Sequence, residues 1–159
     1  MKKSNAARIL DQHHIEYELF SYQVDPNDLS ATHAAESLQQ NHEIVFKTLV
    51  VCDENQRPIV ACIPADYELD LKALAKSANC KKCTMLPLKN LLKTTGYLRG
   101  GCSPIGMKKQ YKTFMHHTAL QYDKILISAG LRGLQLYLNP RDLQNIIEIE
   151  FENLCIINV

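Results

Sequence analysis

The order of elements in this chain predicts a single α/β domain with a mixed β-sheet flanked by helices, spanning residues 1–159. Three observations carry that expectation. At 159 residues and 46% hydrophobic, the chain suits one sizeable core, and no linker, repeat or low-complexity tract divides it. Apolar runs of strand length interleave with short helical patterns. Two of those runs, 44–52 and 59–63, are joined by Asp53-Glu-Asn-Gln-Arg-Pro58, which reads as the turn of a hairpin.

Taken in order, Ser4 is placed to cap a short helix whose apolar face is Ala6, Ile9 and Leu10. His13-His14 ends it, where a cation complements the helix dipole. Ile15, Tyr17 and Leu19 alternate as a half-buried strand, Asp25-Pro-Asn-Asp28 marks a turn, and Ser30 or Thr32 starts a second helix through Leu38. Ile44-Val-Phe-Lys-Thr-Leu-Val-Val-Cys52 reads as a buried strand and Ile59-Val-Ala-Cys-Ile63 as its partner. Asp70 caps a helix with Leu71, Leu74, Ala75 and Ala78 on one face, and Pro87 stands near the start of another that ends before Gly96. Lys124–Ala129 and Leu134–Leu138 are strands flanking Gly130-Leu-Arg-Gly133. Asn139-Pro140 supplies the cap and first position of a last helix.

The formal charge of +1 conceals a strong asymmetry. Between Leu71 and Tyr122 there is no Asp or Glu, yet ten cations: Lys72, Lys76, Lys81, Lys82, Lys89, Lys93, Arg99, Lys108, Lys109 and Lys112. The flanks hold eight cations against seventeen acids. An acid-free block of this length reads as the footprint of a polyanion, with a phosphate-binding face inside it. No run approaches the length of a membrane span, and Met1-Lys-Lys-Ser-Asn leads into an amphipathic segment instead of an apolar leader core, so the chain reads as soluble and cytoplasmic. Its six cysteines sit mostly in apolar runs, where reduced thiols behave as small hydrophobes. Cys80-Lys-Lys-Cys83 has metal-ligand spacing, but it is a lone pair with no second half, so no metal is expected.

All six glycines fall between Gly96 and Gly133, four of them within Thr94-Thr-Gly-Tyr-Leu-Arg-Gly-Gly-Cys-Ser-Pro-Ile-Gly106. A pair such as Gly100-Gly101 lets a ligand approach main-chain N–H groups with no Cβ in the way, as in an oxyanion hole. The segment is neither a Walker loop nor a dinucleotide fingerprint, because no Gly-Lys-Ser/Thr follows it and no distal acid frames it. Cys102 within it has no histidine with a clear claim to be its base. Lys47 interrupts an apolar strand and shares a face with Val45, Leu49 and Val51, so its ammonium lies at a strand end or aims into a pocket.

Val45-Phe-Lys-Thr-Leu49, Glu68-Leu-Asp-Leu-Lys72, Thr95–Lys109 and Ser128-Ala-Gly-Leu-Arg-Gly-Leu134, in that order, resemble the YbaK/EbsC family of aminoacyl-tRNA deacylases, whose fold is also found as an editing domain of prolyl-tRNA synthetases. The resemblance covers almost the whole chain. It implies a trans-acting deacylase that removes cysteine mischarged on tRNA(Pro), with no metal, no cofactor and no enzyme nucleophile, the substrate thiolate attacking its own ester carbonyl. Lys47 matches the family's essential lysine and Gly100 the glycine whose backbone contacts substrate, with Gly101 beside it. Tyr22 matches a tyrosine at the pocket rim, with Ser128 and Arg132 near the wall. Gln135 stands where a relative has aspartate, so that position cannot act as an anionic base. The partner implied is aminoacyl-tRNA, with prolyl-tRNA synthetase as the enzyme that delivers it and neither DNA nor membrane involved; Lys81, Lys82, Lys108 and Lys109 are expected to meet RNA phosphates. Two alternatives keep much of this pattern: a deacylase for alanine or another small amino acid that uses water, and a non-catalytic tRNA-binding or synthetase-adaptor module.

Overall fold

Ser4 sets the first element: its hydroxyl accepts from the Ala7 N–H at 3.2 Å and opens α1 (Asn5–Gln12). The structure, a computed structural model, describes residues 3–156, so Met1 and Lys2 of the N-terminal reading fall outside it. α1 buries Ala6, Ala7 and Leu10, and the His13 ring meets the Ile9 carbonyl at 2.9 Å where the helix ends. Ser30 caps α2 (Ala31–Ser37), and the Asp70 carboxylate caps α3 (Leu71–Ser77) by accepting from Lys72 and Ala73. After a 3-10 turn at Leu88–Asn90, α4 (Leu91–Thr95) stops at Gly96, whose φ of 87° is the left-handed cap that glycine supplies freely.

The strands form two hydrogen-bonded groups. In one, β1 (Tyr17–Ser21) and β6 (Ile125–Ser128) each pair antiparallel with β7 (Leu134–Leu138). In the other, β2 (Phe46–Cys52) and β3 (Pro58–Pro64) make the expected hairpin. β4 (Thr84–Met85) extends it beside Val51 and Cys52, and β5 (Thr113–His116) and β8 (Ile149–Glu152) add in parallel beyond β3. The five-stranded group is therefore mixed, as the order of elements predicts, while the three-stranded group is wholly antiparallel.

Five details depart from the sequence reading. Ile44 lies in a 3-10 turn (His42–Ile44) that Asn41 caps, so β2 starts at Phe46. The segment after Asn139 is a 3-10 helix (Pro140–Asn145) and not an α-helix; it has only six residues before Ile147 and Ile149 are drawn into the core. β5 and β8 are strands that the sequence reading leaves unassigned, and so is the two-residue β4.

Three apolar clusters fill the spaces between layers. α1 covers the largest, which contains Phe46, Met115, Ile125, Ile127, Leu136 and Leu138. α3 packs on Ile59, Ala61, Ile63 and Phe114, and α2 on Val45, Ala65 and Leu126. Val45 is bridged in parallel to Leu126 of β6, and Val51 is paired with Met85 of β4. Between those points one edge of β2 has no neighbouring strand among the described residues, and this gap is where the fold leaves room for a site. No helix among the described residues is long and apolar enough to cross a membrane.

Candidate functional site

A cavity of about 430 Å³ opens along that unpaired edge. Its walls come from four places: Leu29, Ser30, Ala31 and Ala34 at the start of α2; Phe46 to Val50 of β2; Met85, Leu86, Leu88 and Leu91 leading into α4; and Arg99, Gly100 and Cys102 of the glycine segment. Tyr22, Ala65, Ser128 and Gln135 complete it. The volume falls in the range of ligand pockets and exceeds what a small amino-acid side chain alone would occupy.

Lys47 is half-buried in this wall, and its Nζ donates to the Ala65 carbonyl at 3.0 Å. Burial lowers its pKa from the ordinary lysine value, while the charges of Asp66 and Glu68 pull the other way. Among the described residues no carboxylate reaches ion-pair distance of Lys47. The ammonium thus keeps donor capacity beyond its one carbonyl, in a place where a developing negative charge would be poorly solvated by water.

Gly100 has φ 85°, and a Cβ there would meet Leu29 Cβ at 3.0 Å. A side chain would be strained in its backbone and would push on a residue of the opposite cavity wall. Gly101 serves differently. Its N–H donates to the Leu98 carbonyl at 3.0 Å, it does not line the cavity, and a Cβ would meet the Arg132 nitrogen at 3.1 Å. Of the two adjacent glycines expected to present main-chain donors, Gly100 lines the cavity, whereas the Gly101 N–H closes the turn. Arg132 is likewise outside the lining: its Nε donates to the Arg99 carbonyl at 2.8 Å and ties the 130–133 turn to the glycine segment. Inside that segment, Tyr97 donates to the Ile105 carbonyl, Tyr111 to the Thr94 carbonyl at 2.8 Å, and Thr95 Oγ1 accepts from the Tyr97 N–H at 3.0 Å. The loop is held from several sides, which is what a preorganised site requires.

Tyr22 lies at the wall with its ring edge-on to His33, and its N–H donates to the Gly133 carbonyl at 2.9 Å. Ser128 and Gln135 face one another across β6 and β7. Burial pushes the Cys102 thiol up to about 12, and no histidine lines the cavity, so Cys102 stays a protonated thiol at neutral pH. Thr48 and the Met85–Leu88 wall belong to the site without having been marked by the sequence reading. The signal for Met85 and Leu88 is present in hindsight: both are large apolar side chains left exposed inside a basic segment.

The four lysines expected to meet RNA separate into two surroundings. Lys108 and Lys109 are exposed in the glycine segment, the Lys108 N–H donating to the Thr95 carbonyl at 3.0 Å, and among the described residues neither has a carboxylate within ion-pair distance. Lys81 and Lys82 are also exposed, but the Lys81 N–H donates to Glu54 Oε1 at 3.0 Å, at the hairpin turn beyond Cys52. All six cysteines are free; Cys80 and Cys83 bring their sulfurs to 3.6 Å, and no third ligand-type side chain completes a metal cluster among the described residues.

Residues 25–146 match the family described as the aminoacyl-tRNA editing domain. Over 150 residues the chain is 46% identical to "Putative Cys-tRNA(Pro)/Cys-tRNA(Cys) deacylase EbsC" of Enterococcus faecalis (strain ATCC 700802 / V583), which covers 94% of this chain and 92% of that protein. Among solved structures, a hypothetical protein named APE2540 superposes with a TM-score of 0.85 at 19% identity, covering 94% of this chain and 98% of its own. A "putative trans-editing enzyme for prolyl tRNA synthetase" superposes with a TM-score of 0.79 at 16% identity, covering 98% of this chain and 100% of its own. At those identities the two structures speak for the fold.

Proposed function

The chain belongs to the aminoacyl-tRNA editing domain family, and on that premise we propose that it is a trans-acting deacylase that clears cysteine from mischarged tRNA(Pro). The observation that carries this reading is Lys47, half-buried in the cavity wall with donor capacity to spare, in a chain 46% identical to a protein named as a Cys-tRNA deacylase. The cavity takes the aminoacyl ester and part of the terminal nucleoside. Prolyl-tRNA synthetase hands over the tRNA, and a location in the cytoplasm, where translation runs, goes with that substrate.

The substrate supplies its own nucleophile. Its sulfur bonds to the ester carbonyl carbon, the bond from that carbon to the ribose oxygen breaks, and the proton that left sulfur ends on the ribose oxygen. The products are a cyclic thiolactone and uncharged tRNA. Lys47 stabilises the negative charge that builds on the carbonyl oxygen, and Gly100 lets the ester approach the loop without a side chain between. Folding the substrate so that sulfur faces carbonyl carbon is worth roughly 7 kcal/mol or more when the alignment is good, so a shaped cavity with one cation suffices. Cys102 is not needed, which agrees with its protonated state.

The test incubates purified protein with Cys-tRNA(Pro) beside the Lys47→Ala variant and identifies the released product. Fast release of thiolactone, slowed about 10²-fold or more in the variant, is the expected result. Free cysteine in place of thiolactone would move the mechanism to water attack. Binding of tRNA with no release by the wild-type chain would make it an adaptor.

A further inference from the structure

Cys80 and Cys83 bring their sulfurs to 3.6 Å as free thiols, and each is held there by a different element. Cys80 closes the C-terminus of α3: Asn79 takes the left-handed turn with φ 57°, and the Cys80 N–H then donates to the Ala75 carbonyl at 3.0 Å. Cys83 stands one residue ahead of Thr84 and Met85 of β4, and it belongs to the buried cluster of Val51, Leu74 and Ala75. Between the two, the Lys81 N–H donates to Glu54 Oε1, so the turn is fixed in its middle as well. Cys52, Cys62, Cys83, Cys102 and Cys155 are buried, which leaves Cys80 as the cysteine a reagent can reach. It lines a hollow of about 280 Å³ together with Asp53, Arg57 and Lys112. A reachable thiol with a second thiol already beside it is the arrangement that thiol–disulfide exchange requires.

We propose that Cys80 and Cys83 are a reversible oxidation site, closed to an intramolecular disulfide by a small soluble disulfide of the glutathione class, and that closure slows turnover by shifting the β4 wall of the cavity. The effect on turnover rests on the deacylase reading above, whereas the thiol chemistry does not. In the first step the Cys80 sulfur bonds to one sulfur of the small disulfide, whose S–S bond breaks, and the released thiolate takes up the proton that Cys80 lost. The Cys83 sulfur then bonds to the Cys80 sulfur, and the second small thiol leaves with the Cys83 proton. The protein gives up two electrons and two hydrogens, and the small disulfide becomes two thiols. Burial first, and the Cys80 sulfur next, hold the Cys83 thiol above its ordinary range. Capture of Cys80 in the mixed disulfide removes the second of these causes just when Cys83 has to release its proton. A disulfide holds its sulfurs about 2.05 Å apart, so closure from 3.6 Å draws them together by about 1.5 Å. Cys80 is tied to α3, whereas Cys83 leads into a strand of only two residues, so the shift passes to Thr84 and Met85. Met85 and Leu86 both line the cavity.

The experiment treats the wild-type chain, Cys80→Ser and Cys83→Ser with glutathione disulfide and removes the reagent by gel filtration. Each protein is then assayed on Cys-tRNA(Pro), mapped by peptide mass after alkylation, and melted. The expected result is a wild-type 80–83 segment lighter by two hydrogens and closed to alkylation, with kcat/KM lowered about tenfold by the displaced wall and recovered with dithiothreitol. Treatment leaves the rate of both variants unchanged. Alkylation of both sulfurs in the treated wild type, or arrest at the glutathione mixed disulfide, overturns the site. A closed disulfide with unchanged turnover overturns its control of the cavity, as does a loss of rate that persists in treated Cys80→Ser. Cys80 is partly exposed, so its variant serves where Cys83→Ser does not fold, and the wild-type peptide map needs no variant. A reduced wild-type chain that releases nothing from Cys-tRNA(Pro) sinks the deacylase reading, while the peptide map still decides the disulfide.

Discussion

The segments 80–83 and 96–109 are alike in being lysine-bearing, in containing cysteine and in lying inside the stretch without acids, yet folding gives them different surroundings. The first lies against the hairpin turn, where backbone N–H groups of Glu54, Lys81 and Lys82 hold the Glu54 carboxyl below its usual range. The second supplies Arg99, Gly100 and Cys102 to the cavity wall, and among the described residues Lys108 and Lys109 have no carboxylate within ion-pair distance. The lesson is that an acid-free run in sequence becomes an acid-free surface only where the partner strands bring no carboxylate back. By that measure we propose the glycine segment, ahead of the Cys80–Cys83 loop, as the face for a phosphate backbone.

Four outcomes would sharpen or break this contrast. Gly100→Ala faces both the strain of φ 85° and the contact with Leu29, and should lower kcat/KM on the order of 10²-fold, the scale of a misplaced reacting group; near-normal turnover would remove Gly100 from the site. Arg132→Ala releases the Arg99 carbonyl and should cost about tenfold in kcat/KM with binding of tRNA little changed. An effect confined to the melting temperature would make Arg132 structural only. Replacing Lys108 and Lys109 together with alanine should flatten the dependence of log K on log salt by about 1.5, whereas the same change at Lys81 and Lys82 should leave the slope alone; equal effects would erase the distinction drawn above.

The smallest effect concerns pH. Because burial lowers the Lys47 pKa in the folded state, the unfolded chain binds that proton more readily between the folded value and the ordinary lysine value of about 10.4. Stability contributed by this group therefore rises with pH across that window. Denaturant titrations at several alkaline pH values should show a shallower rise in Lys47→Met than in wild type, with Lys81→Met as a control that retains it. A rise identical in all three would mean that Lys47 is as well solvated as a surface lysine.

Elements that begin with a side-chain cap were legible before the fold was known. Ser4, Ser30 and Asp70 each accept from a main-chain N–H in the first turn, and that chemistry is local. The hairpin of β2 and β3 was legible for the same reason, its turn residues and two apolar runs being contiguous. β5 was not: four consecutive buried residues between parallel neighbours have no alternation to read. β8 does alternate, with Glu150 and Glu152 exposed, but the start signal at Asn139-Pro140 points to a helix that the nearby core anchors cut to 3-10 length. Of the site, Lys47 and the glycine segment were marked by unusual residues in unusual places. The roles of Gly101 and Arg132 were not, because both depend on which carbonyl lies across from them.

The sequence alone determined the caps, the hairpin, the family motifs and the singularity of a lysine in an apolar strand, all consequences of residue type and short-range spacing. Only the tertiary structure decided that β2 keeps an unpaired edge, that Tyr22, Lys47, Gly100, Ser128 and Gln135 share one cavity, and that Gln135 lacks a partner there. Those facts come from strands far apart in the chain meeting in register, and no local pattern encodes which backbone group is left over when they do.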